Sequence, residues 1–331
     1  MVGLGTSHEG RAGCVTGRTA LARALDGTAL RPLEDPMNLL IQTLGFGVVT
    51  ASIIAIGAIG FTVQFGLTNV LNLSYGSIMT VGAFVAYLTE TAHINIWLGV
   101  VLGGVAGAVL TLLIGKTVFK YYASRGTGLF EMVMVTLALA LVIEYAVDAL
   151  SRDQIYSIVF PQGGTVTMGP LIFTVSQLVL VGICAVVFVL VEGMLKLTRL
   201  GKALRAMAVD PRLARSCGIP TNRIVNATWV LSGFLCGAAG VVYVINSLSV
   251  SFSTGYDFLP TVLAAAILGG VGSPGGALLA SLLLGIVTEL VAALGGSSYS
   301  TVAAFGVLVV VLLSKPSGVL NAASRKVELT V

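Results

Sequence analysis

Residues 269–276, GGVGSPGG, set Gly270, Gly272 and Gly275 at the G-x-G-x-x-G spacing that lets a backbone approach a dinucleotide pyrophosphate. That chemistry also needs a strand before the glycines, a helix after them and an acid about 20 residues further on. Glu289 follows Gly275 by 14 residues and sits inside an apolar run, so it cannot serve as the ribose ligand. A tight turn between two helices accounts for the stretch better. In that reading Gly269, Gly270, Gly272 and Gly275 are turn and close-approach positions, and Pro274 opens the second helix where a missing N–H is tolerated. Gly115-Lys116-Thr117 has the tail of a phosphate-binding loop, but Leu110 stands where the loop's first glycine is required. His8 and His93 are the only histidines, and Cys14, Cys184, Cys217 and Cys236 share no close spacing. The sequence therefore presents no metal site, disulfide framework or nucleophile–base set, and the chain is expected to be no enzyme and to bind no cofactor itself.

A second group of residues matters because of its surroundings. Asn69, Asn72, Ser74 and Tyr75 fall within NVLNLSYG, and Glu144, Asp148 and Glu289 stand in otherwise apolar runs. Polar groups at membrane depth are costly and face either a cavity or another helix. Asn69, Asn72, Ser74, Tyr75, Glu144 and Glu289 are thus candidates for lining a translocation pathway. A helix-packing hydrogen bond is the plainer role open to each.

The elements that must position these groups follow from composition. Of 331 residues, 56% are apolar and 10% charged, against roughly a quarter charged in a soluble domain. Apolar segments cover roughly 38–63, 66–89, 94–119, 129–150, 171–195, 226–250, 257–270, 274–294 and 299–314. A bilayer core takes about 20 residues of helix, and only helices or closed barrels satisfy their backbone in lipid. The expectation is an all-α polytopic membrane protein of about nine transmembrane helices, with eight to ten allowed. The seventh segment is short enough to be tilted or re-entrant, and the second is open to a break at NVLNLSYG. Residues 37–315 form the membrane domain. Residues 1–36 read as a disordered tail or a mis-assigned start with Met37 as the first residue, and 316–331 as a short cytoplasmic tail.

Charge orients the chain. Between 196 and 225 lie Lys196, Arg199, Lys202, Arg205, Arg212, Arg215 and Arg223 against Asp210 alone, a net +6. Such a loop stays on the cytoplasmic side. KTVFKYYASRG at 116–126 is basic too and two spans away, so both loops face the same side. Within the longer loop Asp210-Pro211 is a helix-start pair, and Gly218 is a stop that takes left-handed backbone cheaply. A short amphipathic helix is expected at about Pro211 to Cys217, with Arg212 and Arg215 exposed beside an apolar face of Leu213, Ala214 and Cys217. Attraction to anionic lipid, at about 1 kcal/mol per charge, and docking on a cytoplasmic partner both fit such a helix.

The stretch TRLGKALRAMAVDPRLARSCGIPTNRI resembles the coupling loop of permease subunits of bacterial ABC importers for branched-chain amino acids, through Thr198, Arg199, Gly201, Ala203, Arg205, Ala206, Ala208, Asp210, Ala214, Gly218 and Ile219. NLSYGSIMTVGAFVAY is similar to a second family motif through Asn72, Gly76, Gly82, Ala83 and Tyr87, with Tyr75 in place of the usual histidine. ILGGVGSPGGALLASLLLGIVTEL resembles a third. The resemblance implies a transport subunit in the bacterial inner membrane, without an ATPase site of its own. Its partners would be two cytoplasmic ABC ATPase subunits carrying ATP and Mg, a second permease expected to be a different chain, and an extracytoplasmic binding protein; no nucleic acid is involved. It also implies that Arg205, Asp210, Pro211, Arg212, Ala214 and Gly218 couple to the ATPase. The departure at Tyr75 leaves urea and short amides open beside branched-chain amino acids. An ion-driven secondary transporter using Glu144 or Glu289, and a membrane scaffold or channel, are the rival classes.

Overall fold

A computed structural model of the chain describes residues 36–125, 128–152, 154–160, 163–168, 171–296 and 299–314. Of the terminal tails expected at 1–36 and 316–331, all but Pro36, which opens the first helix, lie outside the described residues. The long helices are α1 (Pro36–Thr68), α2 (Ser74–Thr91), α3 (Ile96–Ile114), α5 (Leu129–Ser151), α6 (Val175–Leu197), α9 (Thr221–Ser247), α10 (Thr254–Gly269), α11 (Pro274–Gly295) and α12 (Ser300–Ser314). A π-helical stretch, Gly115–Phe119, carries α3 into the short α4 (Lys120–Ser124), and α7 (Arg199–Val209) and α8 (Pro211–Ser216) join α6 to α9. Six of the described helices are long and apolar enough to cross a membrane. The chain is an all-α polytopic membrane protein, as its apolar segments lead one to expect.

The break to which the second apolar segment is open at NVLNLSYG is present: α1 runs on to Thr68, past the expected boundary at 63, and α2 starts only at Ser74. Other boundaries also differ from the sequence reading. Residues 171–174 belong to a strand, because α6 starts at Val175, where Thr174 and Gln177 form a capping box. Here β2 (Thr165–Met168) and β3 (Leu171–Thr174) make an antiparallel hairpin, and β1 (Tyr156–Ser157) pairs with β4 (Ser249–Val250), Tyr156 opposite Val250. These strands are too short to show a hydropathy period. The stretch joining α6 to α9 is also shorter than 196–225, since α9 starts at Thr221.

The core surrounds α9, which packs against α1, α2 and α3. Close approach of backbones sets that arrangement. A Cβ on Gly82 of α2 would fall 2.6 Å from the Gly237 Cα of α9, and one on Gly107 of α3 would fall 3.0 Å from the same atom. Small residues at helix crossings let lipid-embedded helices gain dispersion contacts where no hydrophobic drive separates them from the tails. By contrast α5 and α6 keep one narrow stripe each inward and expose large residues such as Val142, Leu150, Val186 and Val189.

Candidate coupling and translocation sites

The α7–α8 end is built by two side-chain caps. Thr198 Oγ1 accepts the Gly201 N–H at 3.2 Å, starting α7. Asp210 Oδ1 accepts the N–H groups of Arg212 at 2.7 Å and Leu213 at 3.1 Å, which ends one helix and starts the next within a single residue. Pro211 occupies the first turn of α8, and Gly218, at φ +80°, reverses the chain so that the Ile219 N–H reaches the Ala214 carbonyl at 3.1 Å. Leu204, Met207, Ala214 and Ile224 form a small buried cluster of their own. That cluster anchors α7 and α8 to the start of α9.

The apolar face expected for α8 is divided. Ala214 points inward, whereas Leu213 is 61% exposed and Cys217 is exposed too. With six residues α8 has room for one inward position, so its neighbours face out. Arg205, Asp210, Pro211, Arg212, Arg215 and Val209 are exposed, and among the described residues none of the arginines has an ion pair. The result is a projection capped at both ends, with exposed cations beside Val209 and Leu213.

Between this projection and the glycine turn lies a cavity of about 470 Å³ that sequence reasoning missed. Leu204, Arg205 and Ala208 of α7 form one wall, Gly272 to Gly276 another, and Val63, Gly66 and Leu67 of α1 a third. The turn joins two helices: α10 ends at Gly269, Gly270 and Gly272 have φ +91° and +83°, and Pro274 opens α11, whereas Gly275, grouped with them in the sequence, lies in the first turn of α11 with open space where a Cβ would stand. A helix rather than a strand precedes the glycines, so the geometry of a dinucleotide site is not formed.

The residues of NVLNLSYG come together where α1 gives way to α2. Asn69, at φ +50°, is exposed. Asn72 is fully buried, and its Oδ1 accepts from the Ser74 N–H at 3.2 Å and the Ser74 hydroxyl at 2.6 Å. The Tyr75 hydroxyl, also fully buried, donates to the Gly57 carbonyl at 2.9 Å. Leu71 accepts at its carbonyl from Thr136 at 3.2 Å, and Ser77 donates to the Ala140 carbonyl at 2.9 Å. Thr136 and Ala140 are 7 and 11 residues into α5, or roughly 10 and 16 Å at 1.5 Å per residue. The start of α2 therefore lies at membrane depth, where irregular backbone survives only when buried in protein that satisfies it. Asn72, Ser74 and Tyr75 do that work here. Two buried amide donors, Gln64 Nε2 and Asn72 Nδ2, have no partner among the described residues.

Glu144 and Glu289 lie elsewhere. Glu144 is 8% exposed on the inward face of α5, two turns beyond Thr136. Glu289 of α11 accepts the Thr50 hydroxyl at 2.5 Å. It lines a second cavity, of about 260 Å³, with Thr50, Tyr243, Asp257, Thr261 and Ser300 among its neighbours. That cavity sits at the end of the bundle opposite α7 and α8, since α11 reaches it 15 residues after Pro274. A threonine within the apolar run of α1 is the signal for the Thr50–Glu289 pair, but spacing alone does not say which carboxylate it meets.

The family model described as "Branched-chain amino acid transport system / permease component" matches residues 43–312. The chain belongs to that family. Among relatives of this permease, the high-affinity branched-chain amino acid transport system permease protein BraD of Pseudomonas aeruginosa is 28% identical, covering 85% of this chain and 95% of its own. The permease protein LivH of Escherichia coli K12 is 26% identical over 87% of this chain and 98% of its own. LivM of the same organism is 25% identical over 92% of this chain and 79% of its own. The match to the family takes in the broken helix, α7, α8 and the glycine turn alike.

Proposed function

We propose that this permease forms half of the pathway of an ATP-driven importer in the bacterial inner membrane, carrying branched-chain amino acids or a related small polar solute. ATP and Mg are held by two separate cytoplasmic ATPase subunits, an extracytoplasmic protein delivers the solute, and the second half-pathway is a different permease chain. The relatives, branched-chain amino acid transport permeases, support the substrate class. Urea and short amides remain the alternative cargo within the same importer class.

The observation that carries the coupling role is the α7–α8 projection. A six-residue helix fixed by Asp210 at one end and Gly218 at the other, anchored by Ala214, exposes Arg212, Leu213 and Arg215 as a firm knob. A knob of that kind transmits force, whereas a frayed basic loop does not. Seated in an ATPase cleft, it would convert ATPase closure into tilt of α6 and α9, the two-state element that coupling requires. An ion-driven transporter has no use for such a knob.

Purification in mild detergent tests the reading. A stoichiometric Walker-type ATPase should accompany the tagged permease, and Arg212→Glu with Arg215→Glu should strip it away while the permease remains folded. Recovery of the permease without any ATPase, from cells expressing the whole transport operon, would sink the proposal.

A further inference from the structure

The basic stretch at 116–125, KTVFKYYASR, is separate from the α7–α8 projection. It follows α3 through a π turn, in which the Lys120 N–H donates to the Gly115 carbonyl. Phe119 of that turn packs on Trp229, ring centroids 4.6 Å apart, and a Cβ on Gly115 would fall 3.0 Å from the same indole. Trp229 stands eight residues after Thr221, where α9 starts, so the turn lies at the α7–α8 end of the bundle. With Gly115 and Phe119 buried, Lys116 and Lys120 face outward and are exposed. Arg125 is exposed too, its guanidinium 4.3 Å from the centre of the Tyr121 ring. No acid occurs between Ile96 and Gly128, and none of the three cations has an ion pair among the described residues. Lys116 and Lys120 are four positions apart, a spacing at which like charges destabilise a helix.

Bilayer dimensions decide what these cations meet. The helical run from Ile96 to Tyr122 has 27 residues, or about 40 Å at 1.5 Å per residue, whereas the hydrocarbon core takes about 20 residues. A core-length run from Ile96 ends near Gly115, which leaves Lys116, Lys120 and Tyr121 in the headgroup layer. Towards the membrane centre, Val101, Val105, Val109 and Leu113 recur every fourth residue and are each about half exposed. They form an apolar track on α3 that leads to Lys116 and Thr117. A soluble anion would use the cations without the track, and an acidic protein patch would leave the track bare. A phospholipid uses both, and three positive charges without a negative one favour an anionic lipid over a zwitterionic one. We infer that Lys116, Lys120 and Arg125 bind the phosphate headgroup of an anionic phospholipid whose acyl chain lies along Val109 and Leu113. The bound lipid relieves the repulsion between the two lysines and steadies the π turn against Trp229, close to where α9 leaves α8. This requires only that the chain crosses a membrane, whatever solute it carries and whatever drives it.

The test uses the full chain in reconstituted bilayers, with Leu113→Trp placing an indole on the track beside Lys116 and Trp97→Phe removing the other exposed reporter. Quenching of that indole is compared for brominated phosphatidylglycerol and brominated phosphatidylcholine, with the Trp97→Phe chain as the blank for buried Trp229. Phosphatidylglycerol should displace phosphatidylcholine with a preference of at least about fivefold, the effect of a single cation at an anionic surface. Replacing Lys116, Lys120 and Arg125 together by Gln should bring the preference close to unity with the gel-filtration profile unchanged. Lys202→Gln, on the exposed side of α7, should leave it intact. The preference should also survive millimolar inorganic phosphate. Its loss to free phosphate would mark a site for soluble anions and overturn the inference. Equal quenching by the two lipids, or a preference that outlasts the triple change, would overturn it as well.

Discussion

Thr62 of α1 accepts at its Oγ1 the N–H of Gly272, 2.9 Å away and 210 residues later in the chain. The same approach brings Gly66, one turn further along α1, so near the turn that a Cβ there would fall 2.7 Å from the Gly272 Cα. One side of the glycine turn is thus pinned to α1, while its other side faces the cavity beneath α7. A hairpin of α10 and α11 held in this way connects the α7–α8 end to the cavity beside Glu289 at the opposite end.

Thr62→Val removes the acceptor and leaves the N–H of Gly272, an exposed residue at the edge of the cavity, to water. The net loss is then that of an ordinary hydrogen bond, about 0.5–1.5 kcal/mol. The variant should unfold at lower temperature in detergent, whereas Thr62→Ser should match the parent. An equal loss in both variants would point to packing of the threonine methyl rather than the bond.

Asp210 separates geometry from charge. Its side chain caps α8 through two N–H groups, and removing such a cap costs about 1 kcal/mol. Asp210→Ala should impair leucine uptake by proteoliposomes of the assembled importer and leave membrane insertion intact. Asn caps as well as Asp, so Asp210→Asn should restore uptake. A carboxamide as damaging as alanine would mean that the charge itself meets the ATPase.

How much of this was legible in the sequence depended on range. The Asp210 cap, the Gly218 stop and the Pro274 start are local, each set by the backbone needs of a few adjacent residues, and each stands where the sequence reading put it. The break before Ser74 was signalled by Asn72 and Ser74, but its depth was not, because depth depends on Thr136 and Ala140 of a distant helix. The strand at Leu171–Thr174 continues the apolar run of α6 without any change in hydropathy, so nothing in composition marks it. Leu213 and Ala214 differ too little in polarity to show which would turn inward. The pairing of Thr50 with Glu289 spans 239 residues and belongs wholly to the tertiary fold.

Tyr75 stands where the resembled family motif has histidine, and its described contacts are to protein groups. Its hydroxyl meets the Gly57 carbonyl, its ring lies edge-on to Phe61 at 5.5 Å, and its carbonyl accepts the Cys236 thiol at 3.0 Å. Tyr75→Phe keeps the ring and withdraws the donor, so a loss of about 1 kcal/mol is expected, read as a modest fall in melting temperature with uptake retained. Abolished uptake at unchanged stability would instead place the hydroxyl on the solute's route.

The crossing of α2, α3 and α9 offers the most severe outcome. Gly82, Gly107 and Gly237 bring three backbones together, and a methyl on any of them meets main-chain atoms that cannot rotate aside. Inserting bulk into a well-packed core costs about 1–3 kcal/mol, occasionally more, and here three helices must separate to admit it. Gly237→Ala should lower the melting temperature sharply, and Gly237→Leu should yield aggregated material on gel filtration. Gly182→Ala on α6, where a Cβ has no neighbour within 4 Å, is the matched control and should behave as the parent. Because the control changes the same residue type at a lipid-facing position, a difference between the two isolates the helix crossing from the general effect of replacing glycine in a membrane helix. Equal stability of Gly237→Ala and Gly182→Ala would refute this account of the core.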